Sequence, residues 1–367
     1  AALPDGPLAL PAAVEPADFD HPLDEAYIRG FQTWIDDAGF DVKWADMMTS
    51  PISLLGGADS AFHADLASRA AALPGGEVLC HGDAKLDNFG WTLADGAGVF
   101  GDNDFDDGGL CPAAADALHY LLATDLWFDD PDLDTVALDA YIAVLESDSN
   151  VVAVDPTTQP DWDTLLDDGV AKDTKKDAIA LGGEVQAATS DEVSAITALV
   201  AGDPRFPSTL LDVAQDLRTT GGSAGLRRFW LLVEDATHPE TIIELKELTI
   251  PGTEFGPHSA TYDGPNRFDV LKPYWWSTAD LGDHFTVYVL GSRFLARDKY
   301  TRTSVDPTTL TAAQVQNAIQ AEASMLAHKH RAAWAGYDPE AVRAWLSASA
   351  QTLIGRWRAA FTAGGGT

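Results

Sequence analysis

The string HGDAKLDN at 81–88, followed by NDFD at 103–106, decides how this chain is read. An Asp, an Asn five residues later and a second Asp sixteen residues beyond that Asn suit phosphoryl transfer. That chemistry needs one carboxylate to orient or deprotonate an acceptor hydroxyl, a role that falls to Asp83. It also needs an amide oxygen and a further carboxylate, Asn88 and Asp104, to hold Mg²⁺ against the phosphates of ATP. Lys85, two residues past Asp83, is suited to neutralise charge on the transferred phosphoryl group. Short strands over Glu77–Cys80 and Gly96–Phe100 flank the string, so a loop and a hairpin bring these side chains to one cleft.

A nucleotide site also needs bare backbone against phosphate and a cation to grip it. TTGGSAGLRRFWLLVE at 219–234 supplies Gly221, Gly222, Ser223 and Gly225 just ahead of a strand. The next strand, TIIELKEL at 241–248, puts Lys246 on the face opposite Ile243 and Leu245. An ordinary glycine turn and a solvent-facing lysine remain the alternative for these residues.

Working outward, apolar spacing predicts helices over Glu25–Asp37, Ser60–Leu73, the run opened by Pro112, Asp132–Glu146, Thr311–Trp334 and Pro339–Phe361. Strands are predicted over Leu226–Val233 and Thr241–Leu248, joined by EDATHP, and over Phe285–Leu290. Ser147–Ala171 reads as a long surface connection with room for one short helix. The order of elements gives an α+β protein: a flexible arm over 1–20, a helical lobe over 21–210 that carries the catalytic and metal loops, a small β-rich lobe over 211–295, and helices over 296–367 that complete the helical lobe.

Composition narrows the function. The 367 residues carry 57 acids, 44 of them Asp, against 23 Lys and Arg, a net charge of −34. Such a polyanion repels a phosphate backbone, which argues against nucleic-acid binding. No Lys or Arg stands between Lys85 and Lys172, a pattern that fits a solvated acidic face, carboxylates around a divalent cation, or both. No apolar run approaches the roughly 20 residues of a membrane-spanning helix. Cys80 and Cys111 exclude a disulfide scaffold and a Cys-based zinc ribbon, leaving buried thiols as the expectation and a single bridge as the alternative. No Gly-x-Ser-x-Gly elbow appears. His119, His328 and His330 are expected in core or surface roles because His-x-His on a helix points two ways, and YWWS (274–277) is expected to be packing.

These strings together resemble a bacterial family of kinase-like proteins known only as domain of unknown function 2252, related to aminoglycoside-phosphotransferase and protein-kinase folds. The matching segments are SPISLLGG (50–57), GDAKLDNFG (82–90), NDFDD (103–107), GSAGL (222–226), LKEL (245–248) and LAHKH (326–330). Lys85 stands where that family usually shows His. In ordinary kinases the glycine loop and lysine precede the catalytic loop; here they follow it, so the resemblance implies a circularly permuted two-lobe kinase-like fold. It further implies Asp83 as catalytic base, Asn88 and Asp104 as Mg²⁺ ligands, Lys246 as clamp on the α/β-phosphates, Asp116 as a brace beneath the catalytic loop and His81 as a structural part of that loop, with Asp106 either a further metal ligand or a surface acid. For the acid that pairs with Lys246, Glu247 points away, leaving Glu254 and Asp269.

The expectation is an ATP/Mg²⁺-dependent phosphotransferase acting on a hydroxyl of a small molecule. A nucleotide-binding pseudokinase and an exported binding protein that kept only the fold are the alternatives. A cytoplasmic location is expected, with export as the alternative because the chain starts at Ala1.

Overall fold

The structure, a computed structural model, describes residues 7–366 apart from 68, 70–72, 95–96, 105, 148–158, 177, 208, 235–239, 262–266 and 277–283. Its first elements are α1 (Glu25–Arg29), α2 (Asp37–Met47), α3 (Pro51–Gly57), α4 (Asp59–Ala67), β1 (Glu77–Cys80), β2 (Phe89–Ala94), β3 (Ala97–Asp102), β4 (Gly109–Pro112), α5 (Ala113–Phe128) and α6 (Pro131–Glu146). The middle of the chain forms α7 (Trp162–Asp173), β5 (Val185–Ala187), α8 (Ser190–Gly202), β6 (Thr209–Asp216), β7 (Arg228–Glu234), β8 (Thr241–Glu247), α9 (Arg267–Trp276), β9 (Phe285–Val289) and β10 (Ser292–Asp298). Two long helices, α10 (Ala312–His330) and α11 (Pro339–Ala363), close it.

Mixed helix and sheet agree with the α+β expectation. α5 runs through the larger core and is buried on nearly every side, with α3, α4, α6, α10 and α11 around it. α11 lays Val342, Trp345, Leu346, Leu353, Trp357 and Phe361 on that core, the spacing of one helical face. A six-stranded antiparallel sheet in the order β5-β6-β7-β8-β10-β9 forms the second unit. Side chains alternate across it: Phe229, Leu231, Val233, Ile243 and Leu245 pack with Ile196 and Val200 of α8, while Arg228, Glu244 and Lys246 fall on the other face.

Several elements differ from their sequence reading. The helix expected over Glu25–Asp37 stops at Arg29, and a second begins at Asp37, because the Asp36 carboxylate accepts the Gly39 N–H (2.8 Å) and caps a new start. Pro112 ends β4 and serves as the N-cap of α5 instead of its first residue. The helix expected over Ser60–Leu73 spans Asp59–Ala67. The connection at Ser147–Ala171 contains most of α7. The EDATHP turn lies mostly outside the described residues, although Val233 pairs with Thr241 as a hairpin requires. β5, β6, β10 and α8 were not read, so the sheet draws on Val185–Asp298 and encloses the stretch 211–295. Within the stretch 1–20, expected as a flexible arm, Leu8 N–H donates to the Gly336 carbonyl just ahead of α11 (2.7 Å), and α11 itself holds Val14 N–H at Ser349 Oγ (3.0 Å) and the Ala12 carbonyl at Trp345 Nε1 (3.1 Å). Cys80 and Cys111 are not free thiols but a disulfide joining β1 to β4, whose register sets Val78 opposite Cys111. Trp275 is buried packing; the side chain of Trp276 and all of Ser277 lie outside the described residues. Among the described residues no helix is long and apolar enough to cross a membrane.

Candidate functional site

A cleft of about 1050 Å³ opens where the polar face of the sheet meets the loops after β1 and β3. Asp83, Lys85, Asn88, Asp104, Asp106, Gly221, Gly222, Ser223 and Lys246 all line it. Gly225 does not: its backbone, at φ +83°, is covered by the Ile35 side chain. His81 and Asp116 stand behind the loop, fully buried. Phe105 lies outside the described residues.

The loop after β1 is held from beneath. Asp116 on α5 accepts the backbone N–H of His81 (2.9 Å) and of Gly82 (3.1 Å). His330 Nε2 reaches the same carboxylate at 3.1 Å, the Tyr141 hydroxyl and His330 Nδ1 share a hydrogen bond (2.8 Å), and Trp334 Nε1 donates to Tyr141 (2.9 Å). Burial alone would raise the Asp116 pKa, but the hydrogen bond from His330 and the neighbouring imidazoles bring it down to about 2. His328, one turn-face away, is exposed. His81 forms an ion pair with Asp102 at 2.9 Å; burial opposes its charge, yet Asp102 lifts it to about 9. Above the loop, Asn88 Nδ2 donates to Asp83 Oδ2 (2.8 Å) and to the Asp83 carbonyl (2.8 Å), and the Lys85 ammonium pairs with the same Oδ2.

Across the cleft, Lys246 Nζ lies 2.8 Å from Asp106 and 3.3 Å from Asp104. Those two are the carboxylates within ion-pair distance of Lys246 among the described residues. Glu247 pairs with Arg227 (2.6 Å), Glu254 with His258 (3.4 Å), and Asp269 is exposed; neither of the two expected acids reaches the lysine.

Sequence reasoning missed most of the cations. Glu244, two positions before Lys246 and on the same face, is buried among Arg228 (2.5 Å) and Arg297 (2.7 Å), with Arg302 at 3.6 Å. Arg297 also reaches Asp104 at 3.1 Å. Burial and the charge of Arg297 lower the Arg302 pKa to about 10. The signal for Arg228 and Glu244 was present in the two-residue alternation of β7 and β8. That for Arg297 was hidden, because β10 follows a two-residue turn at Leu290–Gly291 with φ +53° and +79°, a backbone that Leu seldom signals. Arg302 is placed by residues 301–305, which add to β2 through Leu93, Trp91 and Phe89.

The glycine loop is anchored by α2 and α3. Lys43, a buried residue that the sequence did not single out, donates to the Gly222 carbonyl (2.5 Å), and Gly221 N–H donates to Asp46 Oδ2 (2.8 Å). A Cβ on Gly222 would stand 2.7 Å from the Gly56 carbonyl oxygen. Ser223 Oγ accepts from Arg228 (3.0 Å). Burial drops the Lys43 pKa to about 7.

The arrangement is an acid-lined floor below a cationic roof, a geometry suited to a polyphosphate bridged by a cation. Asn88, Asp104 and Asp106 offer the oxygen-only donor set that Mg²⁺ takes.

No curated protein and no solved structure matches this chain. Residues 36–124, which hold the HGDAKLDN and NDFD strings, match the model of a family described as an uncharacterized protein conserved in bacteria, DUF2252, and over that segment the match supports the family likeness carried by the motifs.

Proposed function

We propose that this chain is an ATP- and Mg²⁺-dependent phosphotransferase with a circularly permuted kinase-like fold, acting on a hydroxyl of a small molecule. The observation that carries this reading is the meeting of Lys246 with Asp104, 142 residues earlier in the chain, in a cleft shared with Asp83. Counting from β6, the glycine loop joins the first and second long strands and Lys246 lies on the third, as the loop and lysine do in kinases. Permutation is supported by the way α10 and the turn after it adjoin the catalytic loop: His330 bonds Asp116, and Gly76 N–H donates to the Ala333 carbonyl (2.8 Å).

In this reading Asp83 accepts the acceptor hydroxyl and aims it at the γ-phosphate, with Lys85 tempering its charge. Lys246, Arg297 and Arg228 grip phosphate oxygens, exchanging carboxylate partners for phosphate. Asn88, Asp104 and Asp106 would hold Mg²⁺, which neutralises charge between the phosphates.

Calorimetric titration with ATP and Mg²⁺ tests the reading. Binding that falls at least roughly tenfold in Lys246→Ala, together with slow ATP hydrolysis lost in Asp104→Ala, supports it. No binding at millimolar nucleotide overturns it; binding without turnover favours a pseudokinase. The Cys80–Cys111 bond favours a second reading, an exported protein that kept the fold and binds another anion, since such bonds persist in oxidising compartments.

A further inference from the structure

We propose that Asp59, Asp83 and His119 form a site for one divalent transition-metal ion of the zinc or manganese type, separate from the Asn88–Asp104–Asp106 set. Asp59 opens α4, Asp83 follows β1 and His119 lies on α5, so three elements converge. One ligand atom from each lies within 4.8 Å of the other two. His119 Nε2 is 3.1 Å from Asp59 Oδ1 and 3.7 Å from Asp83 Oδ1. Metal bonds of roughly 2.1 Å at tetrahedral angles separate neighbouring ligand atoms by roughly 3.4 Å, so His119 Nε2 already stands at a coordinating separation from both carboxylates.

The hydrogen bonding around the cluster points the same way. His119 Nδ1 lies 2.9 Å from the Ala84 carbonyl, so that nitrogen carries the hydrogen, and in the neutral ring Nε2 presents a lone pair. A metal-bound imidazole is oriented in this manner by a backbone carbonyl behind it. With the ring neutral and the carboxylates ionised, the lone pair faces two carboxylates, three acceptors with no donor between them. Asp59 is 6% exposed and His119 fully buried. Both carboxylate oxygens of Asp59, Oδ1 of Asp83 and Nε2 of His119 take part in no hydrogen bond. Buried acceptors left this way cost stability unless something cationic meets them. His63 Nε2 stands 3.7 Å from Asp59 Oδ1, but it is engaged by the Gly82 carbonyl at 2.7 Å and gives Asp59 no hydrogen bond. Asp83 Oδ2 is held by Asn88 and Lys85, which leaves Oδ1 for the ion; in the phosphotransfer reading the acceptor hydroxyl then meets Oδ2, replacing Lys85 there.

The donor set chooses the ion. One imidazole with two carboxylates suits zinc or manganese, whereas Mg²⁺ prefers oxygen alone and keeps its waters. Asp59 and Asp83 both line the cleft, so the ion has a path from solvent. None of this requires that the protein transfer phosphate, and the site stands if that reading fails.

Titration of the metal-stripped full chain with Co²⁺, followed by visible absorption in a large excess of Mg²⁺, tests the proposal. Saturation at one equivalent, displacement by Zn²⁺, and an affinity reduced roughly tenfold or more in Asp59→Asn and His119→Gln but unchanged in Asp104→Asn support it. Absence of a saturable band, a band that survives Asp59→Asn and His119→Gln, or one lost in Asp104→Asn overturns it. If the two ligand variants do not fold, pulsed EPR of the wild-type chain loaded with one equivalent of Mn²⁺ decides: nitrogen coupling from one imidazole supports the site, and its absence overturns it.

Discussion

His330 Nε2 lies 3.1 Å from Asp116 Oδ2, although 214 residues separate them in the chain. The same carboxylate accepts the backbone N–H groups of His81 and Gly82, so one Asp joins the end of α10 to the loop that carries Asp83. His330→Ala removes a donor from a buried carboxylate and is expected to cost about 2–3 kcal/mol. Urea denaturation checks this, and a variant as stable as the wild type would show that α10 does not brace the loop.

The His81–Asp102 pair gives the protein an alkaline limit. The His81 pKa is raised in the folded chain to about 9, above its ordinary value near 6.5. The stabilisation is therefore fully present below about pH 6.5 and is lost as pH rises through about 9. The urea midpoint of the wild type is expected to decline across that window, while His81→Gln, lacking the titrating group, declines less. Parallel profiles for the two proteins would exclude the linkage.

Cys80 and Cys111 close a segment with a sequence separation of 31 and are both fully buried. The bond lies directly beside the Asp83 loop. Its removal in a Cys80→Ala/Cys111→Ala variant is expected to cost about 3 kcal/mol through the freed unfolded chain. A thiol reagent is expected to label the reduced protein only after unfolding. Equal stability with and without reductant, with the thiols shown to be free, would contradict the expectation.

Gly222→Ala places a methyl against the Gly56 backbone oxygen, where 2.7 Å leaves no room. The loop must then move, with loss of the Lys43 and Asp46 contacts. Destabilisation of about 1–3 kcal/mol is expected, with weaker ATP binding by calorimetry. Gly202→Ala, at the open end of α8 where a Cβ meets nothing within 4 Å, serves as the control and is expected to be neutral.

The floor of the site was legible because its residues are neighbours in sequence: Asp83, Lys85 and Asn88 sit within one short loop whose chemistry depends on their spacing. Lys246 was legible through the two-residue alternation of a strand. The partners of these residues were not, since Glu244–Arg297, Asp116–His330 and Asp59–His119 are pairings that only the folded topology creates. Glu254 and Asp269 failed as partners of Lys246 because the acids nearest in sequence are not those nearest in space. The helix break at Asp36 was missed because a local hydrogen bond from the Gly39 N–H overrode the apolar periodicity, and the strand after Leu290–Gly291 because Leu at positive φ does not announce a turn.

The cations of the sheet face are sunk inside a molecule whose net charge is −34. An anion arriving from bulk water meets a repulsive outer field before it can feel the arginines, and that field reaches only about a Debye length, roughly 8 Å at physiological ionic strength. Added salt would erode the far-reaching repulsion more than the short-range attraction within the cleft. Capture of the anionic ligand proposed above is therefore expected to quicken as ionic strength rises, the reverse of ordinary steering, and stopped-flow association rates that fall with added salt would contradict it.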